Sequence, residues 1–239
     1  MEKLNYIIED STIAELLGVQ NFSTDEAAIL ELVKNAYDAK ALNLILKFSN
    51  DQLEIIDDGE GMDSDDIRKH WMHIGKSKKD YKVIDENNMT RIQAGSKGVG
   101  RFALSRLGRR IDLYTKKAGS IGVIWSTDWN GSTLDSDSNN NKQGTRIVIN
   151  GLREKWNNKR IKNLNKYLEK TYNDTAMKIE IIANNYDEIV SEHFPKAEAG
   201  INCRSNIMLR YNDSLLSTTV ISDEFSDEAL IYCPDIDIK

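Results

Sequence analysis

The stretch Leu53-Glu-Ile-Ile-Asp57-Asp58-Gly59-Glu60-Gly61-Met62 constrains the fold more than any other part of the chain. Its apolar start reads as a strand, and the strand ends on a carboxylate followed by two glycines one residue apart. Glycines at such a point let the backbone turn sharply and let another group approach without a Cβ in the way. Taken alone, the residues fit a strand-to-helix turn as well as a seat for a flat ligand ring beside an acceptor.

The segments around it carry matching signals. Ser23-Thr24-Asp25-Glu26 has capping-box spacing between Ser23 and Glu26 and opens a helix. Ile29, Leu32, Val33 and Ala36 recur at helical spacing and give that helix a core-facing stripe. Glu31, Asn35 and Asp38 fall within about 60° of one another, nearly opposite the stripe. A carboxylate, an amide and a second carboxylate on one face fit a solvated surface or a polar site. Asn43–Phe48 and Leu53–Asp57, separated by Ser49-Asn50-Asp51, read as a β-hairpin. Gly95-Ser-Lys97-Gly98-Val99-Gly100-Arg101-Phe102 is a glycine-rich turn leading into a helix to Leu107, where backbone N–H groups can hold an anion. The acidic ribose-binding residue of a dinucleotide fingerprint is missing, so that reading fits poorly.

Elsewhere the pattern predicts a short helix at 11–18, a helix at 64–73 capped by Asp63 or Ser64, and a polar loop over 75–96. Strands are expected at 111–116, 121–127, 145–150 and 178–183, with Asn130–Gln143 a low-complexity polar loop. A basic amphipathic helix is expected over 153–172. Its Arg153, Lys155, Lys159, Arg160, Lys162, Lys166 and Lys170 read as a solvated face or as a nucleic-acid patch. His70 and His73 have no acidic or cysteine partner at ligand spacing, and Trp71–Ile74 reads as packing that hinges a lid. Alternating runs return at 206–211 and 215–221. The expected division is therefore a first domain at 1–185, then at 186–239 a linker and the start of a second domain.

The bulk properties allow one good-sized core, or one core plus part of another. The 239 residues are 40% hydrophobic and 29% charged, with a net charge of -6. That acidic balance argues against a chain dedicated to coating nucleic acid. No run approaches the ~18 apolar residues of a membrane span, and no signal segment is visible. Cys203 and Cys233 lie far from the motifs and read as unpaired thiols, which points to the cytoplasm.

Together and in this order the motifs resemble those of the GHKL superfamily: gyrase B subunit, heat-shock chaperone, histidine kinase and MutL. ELVKNAYDA resembles the N-box, DDGEGM the adenine-binding D-x-G-x-G, GSKGVG the glycine box that closes a lid, and Gly144-Thr145-Arg-Ile-Val-Ile the later G-T strand. The resemblance covers about residues 5–185, and it implies that 186–239 begin a transducer-like domain of the kind that follows this module in gyrase and MutL relatives. It implies an α/β two-layer sandwich, the Bergerat fold: a mixed, mainly antiparallel sheet with helices on one face and ATP between the layers.

The resemblance also assigns roles. Asp57 accepts from the adenine amino group, and Thr145 assists directly or through water. Gly59, Gly61 and Met62 form the turn against the base. Asn35 ligates Mg²⁺, an ion that prefers oxygen. Gly98, Val99 and Gly100 cradle the phosphates, Ser77 reaches them from the lid entry, and Lys97, Lys76 or Lys78 offsets their charge. Glu31 stands where histidine-kinase domains usually carry Asn, and a glutamate there can act as general base for water. Asp38 would orient the network.

These roles imply an ATPase of the gyrase–chaperone–MutL branch, MORC-like or chaperone-like, that closes a lid and homodimerises when ATP is bound. They leave nucleic acid open as a partner of the intact protein, in DNA handling or defence against foreign DNA. The alternatives are a nucleotide-sensing or dimerisation module with little turnover, and a histidine-kinase-type phosphotransfer domain.

Overall fold

The computed structural model describes residues 8–49, 51–74, 82–84, 90–92, 100–172, 176–184, 206–211 and 214–219. Its elements are α1 (Asp10–Ala14), α2 (Asp25–Asp38), β1 (Asn43–Ser49), β2 (Gln52–Asp57), α3 (Ser64–Asp66), β3 (Lys82–Ile84), β4 (Thr90–Ile92), α4 (Ala103–Leu107), β5 (Gly108–Lys116), β6 (Gly122–Thr127), β7 (Ser132–Asp137), β8 (Gly144–Leu152), α5 (Asn158–Thr171), β9 (Lys178–Asn184), β10 (Asn206–Tyr211) and β11 (Ser214–Thr219). Single π-helical turns extend α1 through Val19 and α3 through Trp71.

Nine strands form one mixed sheet in the order β11-β10-β9-β1-β2-β8-β5-β6-β7. β9 runs parallel to β1 and to β10, and the remaining pairs are antiparallel. Side chains alternate between the two faces of a strand, so burial identifies the covered face. Leu44, Leu46, Phe48, Leu53, Ile55, Ile111, Leu113 and Ile149 are buried on it. Ile29, Leu32, Val33 and Ala36 of α2, with Ile161, Leu164 and Leu168 of α5, belong to the same core. The expected two-layer sandwich, helices on one face of a mainly antiparallel sheet, is the observed architecture.

Several local expectations change. The cap of α2 is Thr24, whose Oγ1 accepts from the Ala27 N–H at 3.1 Å. The helix starts one residue later than Ser23 requires, because Thr24 still has extended backbone. Asp63, not Ser64, caps α3, in a reciprocal box with Asp66. Within the expected loop at 75–96, β3 and β4 pair as a small antiparallel ribbon. Residues 132–137 are strand rather than loop: β7 pairs with β6 at the sheet edge. An edge strand needs little apolar surface and is protected by polar residues, and Leu134 alone packs on the core.

The basic segment also divides. Helix α5 begins at Asn158, capped by Asn157. Arg153, ahead of it, donates to the Ser105 carbonyl at 2.6 Å. Arg160 stacks on Trp156 and reaches Asp25 at 2.9 Å. Asp25 is 1% exposed and also holds Arg106 at 2.8 Å, so one carboxylate ties together α2, α4 and α5. Burial pushes the Asp25 carboxyl up, and the two guanidinium groups offset part of that rise. Arg153 and Arg160 are thereby structural, whereas Lys155, Lys159, Lys166 and Lys170 of the same run are exposed, as a solvated face requires.

Residue 185, the expected boundary, follows β9, and β10 and β11 continue the same sheet. Both cysteines lie outside the described residues. Among the described residues no helix is long and apolar enough to cross a membrane.

Candidate functional site

The D-x-G-x-G turn sits between the end of α2 and the ends of β8 and β5. Ala39, just past α2, accepts the Glu60 N–H at 2.8 Å. A Cβ on Gly59 would stand 2.6 Å from that same carbonyl oxygen, so only glycine fits. Gly61 has φ +66, and a Cβ there would lie 2.0 Å from the Lys116 carbonyl oxygen. From the other side Gln143 donates to the Gly59 carbonyl at 3.2 Å. The two glycines are thus required by close approach of two chain segments, before any ligand is considered.

The adjacent aspartates divide their work. Asp58 accepts from the backbone N–H groups of Leu42 and Asn43 at 2.7 and 2.8 Å, and from Asn43 Nδ2 at 2.7 Å. Those bonds anchor the start of β1 and hold the Asp58 carboxyl below its usual value despite burial. Asp57 accepts a tight local bond from the Gly59 N–H at 2.9 Å, and the Thr145 backbone N–H also faces its carboxyl. Burial pushes its carboxyl up to about 6, with the neighbouring Asp58 charge adding to the rise.

Asp57 is paired with Thr145 in the β2–β8 ladder, and Thr145 with Thr115 in β8–β5. The three side chains form a row on the helix-covered face, since they share phase with Ile55, Ile147 and Leu113. Thr115 is fully buried. Its Oγ1 accepts the Met62 N–H at 2.9 Å and lies 3.1 Å from the Gly144 carbonyl and 3.0 Å from Thr145 Oγ1. Met62 itself packs against the core.

At the middle of α2, Glu31 lies against Gly100. A Cβ built on Gly100 would be 2.7 Å from the Glu31 Oε1. Glu31 also pairs with Lys34 at 3.5 Å. Glu31 and Asn35 are half-buried and Asp38 is buried, so the solvated-face reading of this triplet does not hold. Ser77, Lys97, Gly98 and Val99, with Lys76 and Lys78, lie outside the described residues.

A groove of about 640 Å³ opens on the helix-free face, lined by Ile45, Ile56, Tyr114, Arg146 and Glu180 among others. It borders Asp57 and Thr145, but Glu31, Asn35 and Gly100 do not line it. Glu31 and Asn35 belong to α2, which packs on the opposite face of the sheet.

Residues 22–150 match the family model described as histidine kinase-, DNA gyrase B-, and HSP90-like ATPase. The chain belongs to this ATPase family. Similar proteins include a TNF receptor-associated protein 1 homolog, mitochondrial, of Dictyostelium discoideum, 30% identical over 173 residues. The DNA mismatch repair protein MutL of Syntrophomonas wolfei is 25% identical over 150 residues, and the chaperone protein HtpG of Campylobacter jejuni 27% over 180. These matches cover 61–62% of the chain but only 24–28% of the relatives, so the chain spans about a quarter of their length. Within this GHKL-type ATPase domain, sequence reasoning passed over Thr115, Asp58 and Gln143. Thr115 left one signal: a polar residue in the inward phase set by Ile111 and Leu113.

Proposed function

We propose that the domain binds ATP with Mg²⁺ beneath α2 and hydrolyses it, with Glu31 as the general base. The observation that carries this reading is that α2 touches both other motifs. Its C-terminal end meets Gly59 through Ala39, and Glu31 meets Gly100. The two contacts are eight residues apart on one helix, about 12 Å. A nucleotide laid along α2 would place its base at Asp57 and Thr145 and its phosphates at the glycine box. Asp57 would accept from the amino group of adenine, and the absence of a Cβ on Gly59 and Gly61 would keep the turn tight beneath the ring.

The donor set suits Mg²⁺ bound mainly through phosphate and water. Among the described residues no group of three or more His, Cys, Asp and Glu side chains could hold a metal. Asn35 offers one amide oxygen, the kind of single protein ligand Mg²⁺ accepts when phosphates supply others. The ion would offset phosphate charge there. Glu31 would take a proton from the attacking water at its carboxylate, which Lys34 meets at 3.5 Å. Asp38, buried one turn further on, would fix the Asn35 side of the network.

The further steps (lid closure, homodimerisation with ATP bound, and work within a longer protein in the cytoplasm) are part of the same proposal, and chaperone-like and DNA-handling roles are both represented among the relatives' names. Glu31→Ala tests the chemistry: nucleotide affinity should stay within about threefold while turnover falls about 100-fold or more. Unchanged turnover would remove Glu31 from the mechanism.

A further inference from the structure

The contacts around Thr115 Oγ1 can be resolved to single protons. Thr115 has one hydroxyl hydrogen and two lone pairs. The Met62 N–H, 2.9 Å away, takes one lone pair. The Gly144 carbonyl at 3.1 Å has no hydrogen to give, so this contact is a hydrogen bond only if Thr115 donates to it. The remaining contact, 3.0 Å to Thr145 Oγ1, then requires Thr145 to donate into the second lone pair of Thr115. The reverse assignment would set two oxygen lone pairs against each other at the Gly144 carbonyl, in a fully buried position.

We propose that Thr115 is a positioning residue for the purine: it commits the Thr145 proton inward and leaves Thr145 facing the base as an acceptor only. With Asp57 beside it in the ladder, the corner then presents acceptors alone. A 6-aminopurine meets it with N–H donors, directly or through one water that donates to Thr145 and to the unprotonated N1. A 6-oxopurine presents an oxygen and an N1–H in the same places, and Thr145 has no proton to offer it. Selection of adenine would therefore be set partly by a residue that never touches the nucleotide. This inference rests on the reading that the Asp57–Thr145 corner holds the base.

The test measures affinities for ATP and inosine triphosphate with Mg²⁺, by calorimetry, in the wild type, Thr115→Val, Thr115→Ser and Thr145→Val. Inosine triphosphate differs from ATP only at the 6-position and N1. Thr115→Val frees the Thr145 proton and should lower the ATP preference by about fivefold, while Thr115→Ser keeps it. Thr145→Val should weaken ATP several-fold and leave inosine triphosphate unchanged, an arm that decides even if Thr115→Val does not fold. Equal weakening of both nucleotides by Thr115→Val, or by Thr145→Val, would overturn the inference while leaving the site reading intact. A wild type that binds neither nucleotide would overturn the site reading, and this inference with it.

Discussion

Gly100 and Glu31 are in contact across two motifs that lie almost seventy residues apart, with the Glu31 Oε1 2.7 Å from where a Cβ on Gly100 would stand. The glycine is needed there for the side chain opposite it. Gly100→Ala would strike the far end of a flexible side chain, so the fold should survive and Glu31 should move. Turnover is expected to fall about 100-fold with a much smaller loss of nucleotide affinity. Steady-state kinetics beside a binding titration checks it; a parallel loss of both would show that Gly100 serves binding instead.

Gly61 is a different case. Its φ of +66 disfavours any side chain, and the obstruction 2.0 Å away is backbone, the Lys116 carbonyl. The turn would have to move away from β5, breaking the Met62 N–H bond to Thr115. Gly61→Ala should therefore lower the melting temperature by several degrees, corresponding to about 1–3 kcal/mol, and weaken nucleotide binding together with it. A thermal melt with and without nucleotide separates this from Gly100→Ala, which should leave the melt of the free protein nearly unchanged.

The raised carboxyl of Asp57 makes a pH prediction. Its folded value of about 6 lies above the ordinary 3.8, so the folded protein holds this proton where the unfolded chain has lost it. The contribution to stability is full below about pH 4 and is lost as pH rises to about 6, up to about 3 kcal/mol. Comparing melts of the wild type and Asp57→Asn across pH 4–7 isolates it: the wild type should lose stability relative to the variant as pH rises. A difference that does not change with pH would contradict a buried, poorly solvated Asp57.

Much of this site was legible because it is local in sequence. The apolar stripe of α2, the strand ending at Asp57 and the glycine spacing all lie within short windows, and periodicity sets their phase, whereas the cap of α2 moved from Ser23 to Thr24. What escaped depends on contacts between distant segments. Arg160 belongs to a basic run, and only the approach of α2 turns it into a partner of buried Asp25, 135 residues away. Thr115 looks like an ordinary strand residue until β8 brings Thr145 and Gly144 against it. The strand at 132–137 escaped for another reason: an edge strand carries few of the apolar residues that mark interior ones, and β7 has one.

The central claim is that Asp57 receives the adenine of ATP in this domain. Calorimetric titration of the wild type and of Asp57→Asn with a non-hydrolysable ATP analogue and Mg²⁺ at neutral pH, where Asp57 is mostly ionised, tests it most directly. Asparagine keeps the size but replaces a carboxylate acceptor with a neutral amide. The account predicts saturable one-to-one binding by the wild type and at least a tenfold loss in the variant. Equal affinity of the two proteins, or no binding by the wild type, would contradict it.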